Sequence, residues 1–178
     1  WITSTVIHQA GKKLSLFIAA LIAIALAVSY ISQYFRHYRR ELIYLLVAAG
    51  GGSVLISAFK SISHVSCVWD FSRYGGKLEY ASVYSQILNM SGDNCFPAGH
   101  ASGGYAWLAF YFLGVYEHSK WRWIGLGGAL SVGLIFGFSQ QLRGAHFITH
   151  DLWTLAICWF FSLFIFKLMF LGRLPSQQ

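Results

Sequence analysis

The hydrophobic pattern of the chain is a series of long stretches with almost no formal charge, separated by short polar segments. A helix needs roughly 20 mostly apolar residues to cross a membrane. A helix on the surface of a soluble protein would instead carry a charged face along its length. The pattern therefore predicts an all-α, polytopic transmembrane helix bundle with five visible spans, at about 14–35, 42–59, 99–116, 123–142 and 151–171.

The chain is predicted to be a single domain, 1–178, because no linker, low-complexity tract or repeat divides it. It opens on Trp1, which leaves open that residues precede it and that the complete protein has six spans. An up-and-down order of spans brings the long loop 60–98 and the connection 143–150 to one membrane face, called face B here. The connections 36–41 and 117–122 then lie on the opposite face, face A.

Composition agrees with this pattern, since 56% of the 178 residues are hydrophobic and only 11% are charged. The net charge of +7 taken alone would suit a phosphate, a nucleic acid or an anionic membrane. The distribution of the charges argues against a nucleic-acid ligand, because part of the excess positive charge is the dense basic run 36–40 on face A. A short basic loop of this kind indicates the cytoplasmic side.

Ionisable and polar residues that do not suit a lipid environment gather on face B, although they are far apart in sequence. Each has an ordinary structural explanation alone, such as a lysine whose amine reaches the headgroups. Together, ionisable groups at membrane depth on one face predict a functional site. The group comprises Lys60, Gly99, His100, Gln140, Arg143, His146, His150 and Asp151.

These residue types suit phosphoryl transfer. Lys60 and Arg143 could hold phosphate oxygens by charge-assisted hydrogen bonds, and Gly99 leaves room for close backbone approach. One histidine could attack phosphorus and a second could protonate the leaving group. A carboxylate behind the first histidine would fix its tautomer.

No metal or cofactor is needed for this chemistry. A zinc site formed by His100, His146 and His150 is the weaker alternative, because it would lack the usual carboxylate or thiolate unless Asp151 joins it.

The same residues resemble the type 2 phosphatidic acid phosphatase superfamily of membrane lipid phosphatases. Its signatures are Lys-x6-Arg-Pro, Pro-Ser-Gly-His and Ser-Arg-x5-His-x3-Asp. The chain offers Lys60 for the first, Pro97-Ala98-Gly99-His100 for the second, and Ser139-Gln140 followed by His146 for the third. The resemblance implies that His146 is the nucleophile forming a phosphohistidine, that His100 is the general acid and that Lys60 binds phosphate.

The chain also departs from these signatures. Cys67-Val68 stands where the first has Arg-Pro, and Gln140 replaces the arginine of the third. Arg143, about one helical turn beyond Gln140, and Arg73 in the long loop could supply the two missing cations. His150 occupies the place of the orienting aspartate, and Asp151 follows it, so either residue could orient the nucleophile.

The long loop leaves two further questions open. Cys67 and Cys95 could form a disulfide if face B is oxidising, or remain free thiols. Apolar side chains from Tyr80 to Leu88 have helical spacing. They predict either a helix lying in the membrane interface or a loop helix packed on the bundle.

The function expected from this resemblance is a metal-independent hydrolase that removes a phosphate from a membrane lipid monoester or diphosphate. The alternatives are a lipid-linked phosphotransferase and an inactive relative that binds or transports lipid. The expected partners are the bilayer and a lipid phosphate, with the oligomeric state and the lipid left open. The expected location is the inner membrane of a bacterium, with the site on the periplasmic face.

Overall fold

The computed structural model describes residues 8–90 and 92–171, and their regular elements are helices. The α-helices are α1 (His8–Ser29), α2 (Gln33–Arg36), α3 (Arg39–Ile62), α4 (Val83–Asn89), α5 (Ser102–Tyr105), α6 (Ala109–Tyr116), α7 (Trp121–Gln141) and α8 (Ile148–Phe170). Short 3-10 turns occur at Val68–Asp70, Ser72–Tyr74 and Ala106–Leu108. The all-α prediction is therefore confirmed for the described residues, in which β-structure is limited to two isolated bridges.

Three helices, α3, α7 and α8, are long and apolar enough to cross a membrane, as expected of an integral membrane protein. Many of their large apolar side chains, such as Val54, Leu134 and Phe160, point outward and are exposed on the protein surface. A lipid environment accounts for that exposure, because water would not solvate so much apolar surface on one small chain. The predicted spans at 42–59, 123–142 and 151–171 correspond to these helices.

The other two predicted spans differ from expectation, so a count of five spans is not confirmed. The predicted span 99–116 consists of α5, a 3-10 turn and α6, with 4, 3 and 8 residues. At 1.5 Å per residue this rod is about 22 Å long, less than the ~30 Å of a bilayer core. Two successive glycines, Gly103 and Gly104, open it, and glycine disfavours regular helix by about 1 kcal/mol per residue.

The first predicted span, 14–35, ends earlier than its apolar pattern suggests. Helix α1 stops at Ser29, and its described apolar part is Lys13–Ser29. The Arg39 guanidinium donates hydrogen bonds to the Ser29 carbonyl oxygen, with Nε at 3.1 Å and Nη2 at 2.5 Å. This cation, at the start of α3, satisfies the last carbonyl of α1, and the C-terminal end of a helix is a favourable place for positive charge.

The bundle places α3 against α8, and α5 and α6 against α7. Near face A, the ring of Tyr44 meets those of Phe166 and Phe170 edge-on, and its hydroxyl donates to the Ser162 carbonyl oxygen at 3.2 Å. At the opposite end, α3 and α7 finish where α5 and α8 begin. The segments that carry the predicted site therefore converge on face B.

Small residues on one stripe of α7 allow the close packing that their four-residue spacing predicts. A methyl group added at Gly125 would lie 2.8 Å from Phe110 Cβ, and one at Gly137 would lie 2.5 Å from Asp151 Oδ2. At Gly133 it would overlap the ring of Tyr105, which is almost fully buried.

Gly133→Ala is expected to lower the free energy of unfolding by about 1–3 kcal/mol, because the buried Tyr105 ring has no space into which it can move. Gly128→Ala is the matched control on the same helix, since nothing lies within 4 Å of its added methyl group. The control should be neutral or slightly stabilising. Unfolding of the purified variants in mixed detergent would measure both values. Equal stability of the two variants would contradict the packing described here.

The loop 60–98 folds into a compact cover on face B, with α4 at its edge. Gln86 is the buried residue of α4, and its side chain accepts a hydrogen bond from Ser66 N at 2.8 Å and donates to the Ala81 carbonyl oxygen at 2.9 Å. The apolar side chains Tyr84, Ile87 and Leu88 point outward instead. The helix therefore packs on the loop through a polar side chain and leaves its apolar side exposed.

Candidate functional site

The first part of the site is formed by the end of α3 and the turn before α5. Lys60 lies in the last turn of α3 and is half-buried. Its side chain runs beside Gly99, where an added methyl group would lie 3.8 Å from Lys60 Cδ and 3.9 Å from Nζ. His100 follows Gly99 directly. The structure therefore places the predicted phosphate-binding lysine beside the residue that precedes the predicted general acid.

The second part is the connection between α7 and α8, which carries His146. Gly144 adopts a φ of +69°, in the left-handed region that suits glycine. The next residue, Ala145, donates its backbone N–H to the Gln140 carbonyl oxygen at 3.0 Å. This tight turn directs His146 inward, where it is 4% exposed.

The closest polar neighbour of His146 is His150, in the first turn of α8. Their Nδ1 atoms lie 3.5 Å apart, and His150 is fully buried. A histidine nucleophile that attacks through Nε2 must carry its proton on Nδ1. Here that proton would face His150.

Asp151 lies elsewhere, although sequence left it as an alternative orienting group. Its carboxylate accepts a hydrogen bond from the Gln141 side chain and abuts Gly137, both on α7. Successive residues of a helix point about 100° apart. Asp151 therefore faces α7, whereas His150 faces His146.

The electrostatic environment keeps His146 neutral. Burial, the largest cause, and the charges of His150, Lys60 and His100 together lower the pKa of its imidazole to about 3. The backbone carbonyl of Cys95 acts against these effects by favouring the protonated form. A neutral imidazole retains the lone pair that a nucleophile needs.

The Cys95 carbonyl is a component that sequence reasoning missed. It raises the pKa of the His146 imidazole, against the effect of burial. The ring of Phe96, the next residue, packs edge-on against His150 with centroids 5.3 Å apart. Every residue has a backbone carbonyl, so the sequence carries no signal that could have identified this one.

Gln140 and Arg143 form one unit at the end of α7. Arg143 Nη1 donates to Gln140 Oε1 at 3.0 Å, and Gln140 is 2% exposed. The guanidinium thus lies beside the side chain that replaces the arginine of the third signature.

Arg73 is not brought into contact with the histidines. It is exposed in the 3-10 turn Ser72–Tyr74, and its guanidinium has no hydrogen bond or ion pair within the described part of the chain. Its neighbours Phe71 and Tyr74 pack on Phe147, the residue after His146, with ring centroids 6.2 Å apart in each case. The turn that carries Arg73 therefore borders the site without entering it.

The two loop cysteines are joined by a disulfide, with Cα atoms 5.1 Å apart. Cys158, the third cysteine, is buried within α8 as a free thiol.

The described residues bring Lys60, Gly99, His100, His146 and His150 together at the face B end of the bundle. Within 8–90 and 92–171, no group of three or more His, Cys, Asp or Glu side chains is arranged to hold a metal ion. The arrangement thus combines a lysine with three imidazoles, which suits an anionic ligand. Among known proteins, no family model, no curated sequence and no solved structure matches the chain.

Proposed function

We propose that the protein is an integral membrane lipid phosphatase that hydrolyses a phosphomonoester or diphosphate through a phosphohistidine on His146. The observation that carries this proposal is the burial of a neutral His146 beside Lys60, His100 and His150. The resemblance of Lys60, Pro97–His100 and His146 to the signatures of the type 2 phosphatidic acid phosphatase superfamily supports the same conclusion independently.

The reaction requires two displacements at phosphorus. In the first, Nε2 of neutral His146 forms a bond to phosphorus, the bond from phosphorus to the lipid oxygen breaks, and protonated His100 gives its proton to the departing oxygen. In the second, His100 takes a proton from water, the new oxygen bonds to phosphorus and the nitrogen–phosphorus bond breaks. Inorganic phosphate leaves, and both histidines return to their first state.

Lys60 and Arg143 supply the positive charge that the equatorial oxygens require. A phosphoryl group in transfer spreads negative charge over three oxygens, and fixed cations stabilise that charge most where water is excluded. Lys60 reaches the space beside Gly99. Arg143 is held by Gln140, which supports its role as the replacement for the missing arginine. Arg73, exposed at the border of the site, is suited to the outer oxygens of a diphosphate.

The position of the site at the end of a helix bundle with an apolar outer surface supports a lipid as the substrate. The outward-facing apolar side chains of α4 lie on the same face as the histidines. A lipid whose chains remain in the bilayer would thus present its headgroup at the level of the site.

The proposed location is the inner membrane of a bacterium, with the site on the periplasmic face. The basic connection 36–40 belongs to the opposite, cytoplasmic face by the positive-inside rule. The Cys67–Cys95 disulfide lies on the same face as the site, and disulfides persist in oxidising compartments. These two arguments are independent and give the same orientation.

The test is phosphate release by the purified protein from phosphatidate, phosphatidylglycerol phosphate, an isoprenyl diphosphate and a lipid A phosphate, each in mixed micelles. We expect turnover of at least one of them without added metal. Adding excess lipid or sugar acceptor would identify a phosphotransferase if phosphate appears on the acceptor instead of in solution. Tight lipid binding without any turnover would overturn the enzymatic proposal.

A further inference from the structure

An apolar groove runs along the outside of the bundle between α3 and α8, and its face B end lies beside the candidate site. Its volume is about 310 Å³. Helix α3 contributes Leu55 and Phe59 to its lining, and α8 contributes Trp153, Ala156 and further apolar side chains. The only polar side-chain atom among the lining residues is the indole nitrogen of Trp153. The groove therefore suits an apolar occupant.

The groove and the site share the same parts of both helices. Phe59 directly precedes Lys60 in the last turn of α3. On α8, the residues seven and eleven positions after His150 return to within about 20° of its direction, because successive residues are 100° apart. Those residues are Ile157 and Phe161, and both line the groove. One stripe of α8 therefore carries His150 and, below it, the wall of the groove.

Phe96 stands where the site meets the groove. Its ring packs edge-on against His150, with centroids 5.3 Å apart, and against Trp153, with centroids 6.2 Å apart. Trp153 is exposed and is the first residue of α8 that lines the groove. Tryptophan favours the boundary between lipid headgroups and hydrocarbon. A molecule that extends from the histidines into the groove therefore crosses that boundary beside these two rings.

The groove is about as long as one leaflet of a bilayer is deep. Phe164, the last residue of α8 that lines it, lies eleven positions after Trp153. That separation is about 16 Å at 1.5 Å per residue, and half of a bilayer core is about 15 Å. The Phe161 ring closes the groove towards the bundle, since a methyl group added at Gly51 would lie 2.7 Å from it.

The volume of the groove distinguishes a hydrocarbon chain from a helix. A helix with its side chains is about 10 Å across, so a 16 Å length of helix would occupy roughly 1,300 Å³. The groove has about 310 Å³. A second copy of the chain or another membrane helix could therefore lie over the groove but could not fill it, whereas one unbranched hydrocarbon chain can lie inside it.

We propose that this groove binds one hydrocarbon chain of the substrate lipid, whose phosphate lies at Lys60 and His146. The identity of the headgroup rests on the function proposed above. Lipid chains already surround the protein, so the chain gains little from the hydrophobic effect when it enters the groove. The gain is one of orientation, because a chain held below His150 fixes the direction from which the phosphate approaches His146.

The first test fills the groove with a side chain. Ala156→Phe places a ring inside it. Ala58→Phe is the matched control, because Ala58 is exposed on α3 beside Phe59 but does not line the groove. We expect kcat/KM for hexadecyl phosphate to fall about 10- to 100-fold in Ala156→Phe, as for other misplaced reacting groups. The control should be unchanged. The loss in Ala156→Phe should be smaller for hexyl phosphate, whose short chain occupies less of the groove.

The second test measures occupancy without catalysis. The protein is reconstituted in vesicles of phosphatidylcholine brominated on its acyl chains, which quench the fluorescence of nearby indoles. The Trp153 signal is the difference between the wild type and Trp153→Phe. Hexadecylphosphonate, which carries no hydrolysable ester, should restore this signal because its unbrominated chain replaces a brominated one in the groove. Hexadecanol, with the same chain and no phosphonate, should not restore it.

The outcomes separate the groove from the proposed function. Equal losses of kcat/KM in Ala156→Phe and Ala58→Phe, with no restoration of Trp153 fluorescence by hexadecylphosphonate, would overturn the groove and leave the phosphatase intact. Equal restoration by hexadecanol would mean that any bilayer chain enters the groove, which would also overturn the proposal. Restoration by the phosphonate alone, in protein that hydrolyses no lipid phosphate, would support the groove as a site for an anionic lipid and defeat the proposed function. If Ala156→Phe does not fold, the Trp153 measurement decides.

Discussion

Replacement of His146 with asparagine should reduce phosphate release from the preferred lipid phosphate by about a thousandfold or more, because the variant has no group that can bond to phosphorus. Asparagine keeps a polar side chain at this buried position, so the protein should still fold. A ³²P-labelled substrate should leave acid-labile label on the wild-type protein after rapid quenching. The variant should carry none.

His118→Asn is the matched control for this experiment. His118 is exposed at the other end of the bundle, and asparagine tolerates its positive φ of 52°. The control should keep full activity and the same label. Substantial turnover in His146→Asn, or a covalent phosphate that survives the substitution, would mean that another group attacks phosphorus and that the phosphohistidine proposal is wrong.

Lys60→Met should lower kcat/KM by about 100- to 1,000-fold, which is the usual cost of removing one group that stabilises transition-state charge. Methionine preserves most of the length and apolar character of the lysine stem. Lys60→Arg should retain more activity, because it keeps the charge beside Gly99. Lys120→Met, at an exposed position on face A, is the control and should be unaffected.

The same substitution has an electrostatic consequence at His146. The Lys60 charge lowers the pKa of that imidazole, so its removal should raise the pKa from about 3 towards the ordinary 6.5. Burial is the larger cause and remains, so the pKa should stay below 6.5. NMR titration of His146 in both proteins would measure the change. An unchanged or lowered pKa in Lys60→Met would show that the ammonium does not act on His146.

The spans that sequence predicted well are those in which the apolar pattern and the helix coincide. Helices α3, α7 and α8 could be predicted because each apolar stretch forms one uninterrupted helix. The end of α1 at Ser29 was not, since it depends on hydrogen bonds from Arg39, which is ten residues away. The break at Ala106–Leu108 was also missed, because hydropathy does not register the contact of Gly104 with the Gly133 backbone.

The candidate site also contains some residues that could be predicted from the sequence and others that could not. Lys60, His100 and His146 could be assembled from sequence because each lies at a helix end whose membrane face follows from span order. The choice between His150 and Asp151 could not be made, since the irregular turn at Gly144 sets where α8 begins and which of its residues faces His146.

For the proposed lipid phosphatase, the outward apolar side of α4 would determine how the reaction rate depends on substrate concentration. Gln86 holds one side of this helix, and Tyr84 and Leu88 are directed away from the protein. If that apolar side lies in the headgroup layer, a lipid substrate of the proposed enzyme would reach the histidines from within the layer. Substrate would then arrive by lateral diffusion in two dimensions. The concentration that governs the rate would be the mole fraction of the lipid in its leaflet, and dilution with an inert lipid would lower the rate even when the molar amount of substrate stays constant.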